Sequence, residues 1–285
     1  MLASILISSH NRSALLKRTL ASIAAFPPPV DFEVVLVDDA STEDTLGVVR
    51  GFSSRLSWTF IRFDAKEFAK QTGFRKFLNN PCVTNNIAYR YSQGSLLFLQ
   101  GNEVMAGPKC YAALMAAAPL GPHWAMMSTT YDIPPEVVGK LGEYQAELTY
   151  QQMAVSQRYP LQSRDYRSDV TNYISLAPRS LWDSVCGYDE RYFSGIAAED
   201  SDFVRRARTL PDFQMQVSHQ AISYHQSHGG KTCYYDPPSS YITQERWQEG
   251  CRLNRIWYDA WDGTYRNHTP WEIGSIGIAE VITNQ

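Results

Sequence analysis

The chain has 285 residues, 44% of them hydrophobic and 19% charged, which is enough apolar material for a sizeable core and excludes a disordered, collagenous or low-complexity protein. Its 26 basic and 29 acidic residues give a formal net charge of −3. No basic tail or stripe stands ready to grip phosphates, so no nucleic-acid partner is expected.

Leu2 to Ile7 is an apolar run that predicts a buried strand, and without a basic region ahead of it this does not read as a signal peptide. A helical pattern follows from Ser13, with Leu16, Leu20, Ile23 and Ala24 on one face, and Pro27, Pro28 and Pro29 end it. Phe32 to Val37 predicts a second strand, broken by Asp38 and Asp39. Ser41 with Asp44 then resembles a capping box that opens a helix through Val49. Trp58 to Phe63 predicts a third strand, Val83 to Tyr91 a helix, Ser95 to Leu99 a fourth strand, and Trp124 to Met127 a continuation of the sheet. This alternation predicts an α/β chain whose mixed, mostly parallel sheet is flanked by helices.

From residue 128 to about Pro178 the sequence turns Tyr-, Gln- and Arg-rich, with weak periodicity. A helix is expected from Glu199 to Arg208, a strand pair around 213–224, and a Trp- and Tyr-rich helix around 241–261. The longest apolar run, Tyr111 to Leu120, is about half of what a bilayer requires, so no transmembrane segment is expected. The five cysteines, Cys82, Cys110, Cys186, Cys233 and Cys251, are widely spaced and form no C-x-x-C pair. They read as free thiols of a reducing, cytoplasmic compartment.

Ligands of open α/β sheets bind at the carboxyl ends of the strands, and three of these ends are polar. They read Ser8-Ser9-His10-Asn11-Arg12, Asp38-Asp39-Ala40-Ser41 and Gln100-Gly101-Asn102-Glu103. Any one alone is explained by turn chemistry and a helix cap; three together favour a site.

The ordered strings Ile5 to Arg12, Val35 to Thr42, Asn86-Ile87-Ala88 with Gly94 and Leu97-Phe98-Leu99, Gly187-Tyr188-Asp189-Glu190, and Glu199-Asp200-Ser201-Asp202-Phe203 resemble glycosyltransferase family 2. These are inverting enzymes of the GT-A fold, a Rossmann-like nucleotide-diphospho-sugar transferase architecture, and the resemblance covers about residues 3–225. It implies a GT-A domain over 1–240, with a nucleotide-binding half (1–105) and an acceptor half (106–240), followed by a C-terminal helical extension (241–285).

By the same resemblance Ser8 and Asp39 hold the nucleotide base, with Asn11 and Arg12 nearby. A carboxylate such as Asp39 accepts the ring N–H of uracil or guanine. Asn86, Gln100 and Asn102 fall beside the donor. The Arg that often precedes the family's Asn is Asn85 here, with Arg75 or Lys76 as substitutes for its charge. Where the family carries Asp-x-Asp, this chain has Gln100 to Glu103. Asn102 and Glu103 still offer hard oxygen ligands for Mn²⁺ or Mg²⁺, the alternative being a polar turn. His225 is the implied additional ligand and His228 the second choice, while Lys231, after Gly229 and Gly230, is expected to meet phosphate.

Glu199 and Asp200 match the pair that contains the family's general base, and Asp200 is the expected base. The competing explanation is helix electrostatics, since both precede Arg205, Arg206 and Arg208. His10, His123, His219 and His268 receive no role. Trp247, Trp257, Tyr258, Trp261 and Tyr265 are expected mainly to pack an amphipathic helix. The implied activity is sugar transfer from a UDP-sugar, or next a GDP-sugar, to a hydroxyl of a glycan or other acceptor with inversion. The alternatives are a retaining GT-A enzyme and a catalytically inactive nucleotide- or sugar-binding module.

Overall fold

The N-terminal apolar run forms β1 (Leu2–Ser9), flanked in parallel by β2 (Asp31–Asp39) and β4 (Leu96–Gln100). A computed structural model describes residues 2–73, 81–133, 135–138, 173–226, 228, 243–261 and 277–284. β3 (Trp58–Phe63) extends the parallel block beyond β2. These strands are buried on both faces, which is why they read as continuous apolar runs and not as alternating ones. Ile5, Ile7, Val34, Leu36 and Phe98 meet one face, with Leu16, Leu20 and Ile23 of α1 (Ser13–Ala25). Leu6, Val35, Val37 and Leu97 meet the other, with Val83 and Ile87 of α4 (Cys82–Tyr91). α2 (Thr45–Arg50) joins the first face through Val49, and α3 (Ala65–Thr72) the second through Phe68.

The remaining strands are β5 (Val104–Ala106), β6 (Trp124–Ile133), β7 (Ile174–Pro178), β8 (Gln214–Gln226) and β9 (Ile278–Thr283). Among the described residues the sheet order is β5-β8-β6-β7-β4-β1-β2-β3-β9, with β6 and β8 parallel and β7, β5 and β9 antiparallel to their neighbours. The helices of this half are α5 (Cys110–Ala116), α6 (Pro135–Val138), α7 (Arg179–Val185), α8 (Glu199–Ala207) and α9 (Gln244–Asp259), with a 3₁₀ turn over Glu190–Ser194.

Several expectations are corrected. Ser41 does not cap α2; Asp44 does, its Oδ1 accepting from Gly47 N at 2.8 Å, while Ser41 Oγ accepts from Asn11 N. The strand expected to end at Met127 runs on to Ile133, because Ser128, Thr130 and Ser223 satisfy one another's hydroxyls inside the sheet. The expected strand pair around 213–224 is one strand. Its register jumps from Ser128↔Ser218 to Thr129↔Ile222, so His219 to Ala221 bulge out and mimic a turn in the sequence. The segment 241–285 is not helical throughout. It contains α9, and β9 then returns to the edge of β3, where Asn284 Oδ1 accepts from Trp58 N.

Arg206 is the largest wholly buried side chain among the described residues. Its Nε donates to Asp202 Oδ2 at 2.7 Å and its Nη1 to the carbonyls of Gly187 and Val185, tying α8 to the end of α7. Removing one partner of a buried pair strands the other, so Arg206→Ala is expected to lower unfolding stability by about 3–5 kcal/mol. Urea denaturation checks this.

Candidate active site at the strand ends

Because β4, β1 and β2 lie side by side and parallel, their polar carboxyl ends open on one edge, at the point where the strand order reverses. Asp39 ends β2 and is buried. Ser8 shares a 2.6 Å hydrogen bond with Thr84 of α4, a partner the sequence reading passes over. The loops after β1 and β2 are laced together. Asn11, in the left-handed region at φ 48°, accepts from Thr42 N at 2.8 Å and donates its own N–H to Ser41 Oγ at 2.9 Å. His10, to which the sequence assigned nothing, bridges the Asp39 carbonyl and the Asn11 amide. Asn11 thus shapes the loop, and a short polar side chain tolerates that conformation.

Asn86 and Gln100, expected beside a donor, spend their side-chain amides on bonds within the protein. The Asn86 amide accepts from Tyr188 N at 2.8 Å and donates to Tyr188 O and to Glu190 Oε1. Gln100 donates to Val104 O at 2.7 Å and accepts from the Tyr111 hydroxyl at 2.5 Å, closing the turn from β4 into β5. Asn102 donates to Ser9 Oγ at 3.0 Å, while its carbonyl accepts from Thr19. All three are buried and bonded within the scaffold. Lys231 lies outside the described residues, as do Arg75 and Lys76.

Glu103 is where the expectations converge. Its Oε2 accepts from Arg12 Nη1 at 3.0 Å, and its Oε1 lies 3.9 Å from His225 Nε2 and 3.8 Å from His228 Nε2. The β5–β8 pairing sets Val104 opposite His225, and Gln226 N donates to Glu103 O, so the end of β8 is fastened beside the β4–β5 turn. Burial opposes the Glu103 charge, but Arg12, His228 and His225 together outweigh it and hold the carboxyl at about 2.

The three donor atoms lie within 4.8 Å of one another, slightly wider than the ~4.2 Å that two ligands ~2.1 Å from one ion can span, so a bound cation would draw them a few tenths of an ångström inward. One carboxylate oxygen and two imidazole nitrogens fit a divalent first-row ion such as Mn²⁺ better than Mg²⁺, which prefers oxygen. Both histidines join the set, whereas the Asn102 amide is turned to Ser9.

The second polar group stands at the start of α8. Ala197 and Ala198 are left-handed in succession, at φ 59° and 71°, which costs roughly 1–2 kcal/mol each for residues with a Cβ. Such strain persists where surrounding structure enforces it, and it marks functional turns. Immediately after it Asp200 Oδ1 accepts from Ser201 N at 2.7 Å; burial and the neighbouring Glu199 push its carboxyl up to about 8. Glu190, in a string given no role of its own, is raised to about 7 by burial against the opposing hydrogen bond from Asn86. The aromatic tail meets arginines: Arg205 stacks on Tyr258 and Trp261 at 3.9 and 4.3 Å, and Arg191 on Trp257 at 5.1 Å, with Trp257 still exposed. Tyr265 lies outside the described residues.

This sheet, with its strand-end site, is the fold of the GT-A glycosyltransferases, and residues 4–80 match glycosyl transferase family 2. The chain is 29% identical over 221 residues to validoxylamine A glucosyltransferase of Streptomyces hygroscopicus subsp. limoneus, a match covering 70% of this chain and 46% of that protein. It is 23% identical over 245 residues to hyaluronan synthase of Pasteurella multocida, covering 80% of this chain and 25% of that one. The chain therefore spans about half the length of the first relative and a quarter of the second. Among solved structures, S. aureus TarS 1–349 in complex with UDP-GlcNAc superposes with a TM-score of 0.58 at 18% identity, covering 92% of this chain and 68% of that one. The mannosyltransferase PcManGT of Pyrobaculum calidifontis, in complex with GDP-Man and Mn²⁺, gives 0.55 at 15% identity, covering 82% and 58%.

The donor set leads to a direct expectation. Glu103→Gln and His225→Ala should each weaken Mn²⁺ binding about 10-fold or more in calorimetry, and metal-free Glu103→Gln should also melt lower than the parent at neutral pH, because Arg12 loses its carboxylate partner.

Proposed function

We propose that this chain is a nucleotide-sugar-dependent glycosyltransferase that moves a sugar to an acceptor hydroxyl with inversion. Residues 1–105 serve as its nucleotide half and 106–240 as its acceptor half. The observation that carries this reading is the Glu103, His225 and His228 set at the end of β4, which supplies a cation site where the family's Asp-x-Asp is missing. A sugar diphosphate leaves only if its developing negative charge is stabilised. A cation held by Glu103, His225 and His228 would supply that stabilisation, and Arg12, which donates to Glu103, brings a guanidinium beside the set. The same set argues against an inactive module.

Asp39 accepts the N–H of the base at the strand end, with Ser8 beside it. A UDP-sugar is the preferred donor and a GDP-sugar the second; the relatives include a glucosyltransferase, and solved neighbours hold UDP-GlcNAc and GDP-Man. Asp200 takes the proton of the acceptor hydroxyl as that oxygen attacks the anomeric carbon, and the nucleoside diphosphate leaves from the opposite face. The acceptor is a glycan or another hydroxyl compound. No helix among the described residues is long and apolar enough to cross a membrane. The buried cysteines Cys82 and Cys110, which form no disulfide among the described residues, suit a reducing, cytoplasmic setting.

Two variants test the reading. Asp39→Ala should weaken UDP binding by about 1–3 kcal/mol in calorimetry, the cost of an unpaired buried donor. Asp200→Asn should lower kcat by about 10²–10⁴ with UDP affinity nearly intact. Activity of the parent should climb with pH through about 8, as the raised Asp200 carboxyl ionises. Because the folded state holds that proton more tightly than the unfolded chain, Asp200 costs stability as pH rises from the ordinary carboxylate range through about 8. Asp200→Asn should therefore melt higher than the parent at pH ~9, with the gain vanishing toward pH ~4.

A further inference from the structure

Helix α9 takes no part in the strand-end site, yet it ends two polar groups on the turn that carries Asp200. Asn254 is wholly buried, and its amide nitrogen donates to Ala197 O at 2.7 Å and to Tyr192 O at 3.0 Å. One helical turn earlier, the Gly250 carbonyl accepts from Ile196 N at 3.0 Å. A buried amide in the middle of a helix is unfavourable by both propensity and desolvation, and here only its nitrogen is bonded while Oδ1 has no partner among the described residues. The bonds it does make close on the first of two left-handed alanines, a conformation that relaxes when nothing restrains it.

Gly195 shows how closely the two segments meet. A Cβ there would lie 2.2 Å from Asn254 Oδ1 and 2.6 Å from the Gly250 carbonyl, so only glycine allows the approach. Past the turn, Arg205 of α8 donates to the Tyr258 carbonyl at 2.7 Å, a second tie between the same two helices. The left-handed pair is thus clamped on both sides by α9.

We infer that Asn254 is a positioning residue for the reaction: by pinning the Ala197 carbonyl it keeps the left-handed turn in place and sets where Asp200 stands. The inference rests on the reading of Asp200 as the general base. It makes α9 part of what orients the base, although it lies beyond the residues the family resemblance covers.

The test compares Asn254→Ala and Gly195→Ala with the parent chain. Gly195→Ala keeps every hydrogen-bonding group and wedges the segments apart, so it decides the matter if Asn254→Ala does not fold. Amide hydrogen exchange over Ile196–Ser201 should accelerate about tenfold or more in both, while the β1 and β4 amides keep their protection. For hydrolysis of UDP-glucose, kcat should fall about tenfold or more with KM nearly unchanged, and UDP affinity should stay within about twofold. Unchanged exchange in both variants overturns the inference. So does parental kcat in a loosened turn, or loss of kcat in step with UDP affinity, the signature of general structural damage. The exchange arm needs no donor and decides alone if the parent does not hydrolyse UDP-glucose. If Asp200→Asn hydrolyses UDP-glucose at the parental rate, the base assignment falls, and exchange in Asn254→Ala still reports separately whether the turn is held.

Discussion

A carboxylate largely withdrawn from water must be held by favourable partners or lose its charge, and around Glu103 three separate pieces of chain converge. Arg12 comes from the loop after β1, His225 from the end of β8 and His228 from just beyond it. Burial alone would raise this carboxyl; the three partners keep it ionised. The arrangement depends on the sheet order. Only because β5 pairs with β8, and β4 with β1, do the β4–β5 turn, the β8 terminus and the β1 loop share one place. The same convergence that stabilises the charge produces a donor set for a cation.

The second half of the site is held by internal fasteners. Asn86 uses its whole amide on Tyr188 and Glu190, so helix α4, which packs beneath β1 and β2, also fixes the segment that leads to α8. Arg206 and Asp202 anchor α8 to the end of α7, and Asn254 holds the turn before it. Each fastener is a buried polar group that spends hydrogen bonds on a neighbouring segment, which favours one arrangement over near alternatives. The strain at Ala197 and Ala198 and the raised Asp200 carboxyl fall on the one turn these bonds surround.

Much of this was legible from the chain alone, and the failures have physical causes. The boundaries of β3 and the start of α1 follow from apolar runs and breakers, because parallel strands and an amphipathic helix leave strong local patterns. β8 was split because a bulge carries polar residues like a turn. Gln100 and Asn86 show the limit of such reading, because a polar residue near strand ends looks the same in sequence whether it faces a pocket or, as their bonds to Val104, Tyr111, Tyr188 and Glu190 show, ties neighbouring segments together. His228 was ranked below His225, yet both imidazoles stand at nearly equal distance from Glu103. Asn254 had no signal at all. Its meaning depends on a carbonyl 57 residues earlier in the chain, and no periodicity reports a contact of that kind.

If the strand-end carboxylate and the two histidines form one cation site, pulsed electron paramagnetic resonance of the protein with Mn²⁺ and UDP will show it, since imidazole nitrogens bonded to Mn²⁺ modulate the electron spin echo. Coupling to two such nitrogens is expected, one lost in His225→Ala and the other in His228→Ala. Mn²⁺ that binds with no imidazole coupling, or with coupling untouched by either substitution, would contradict it.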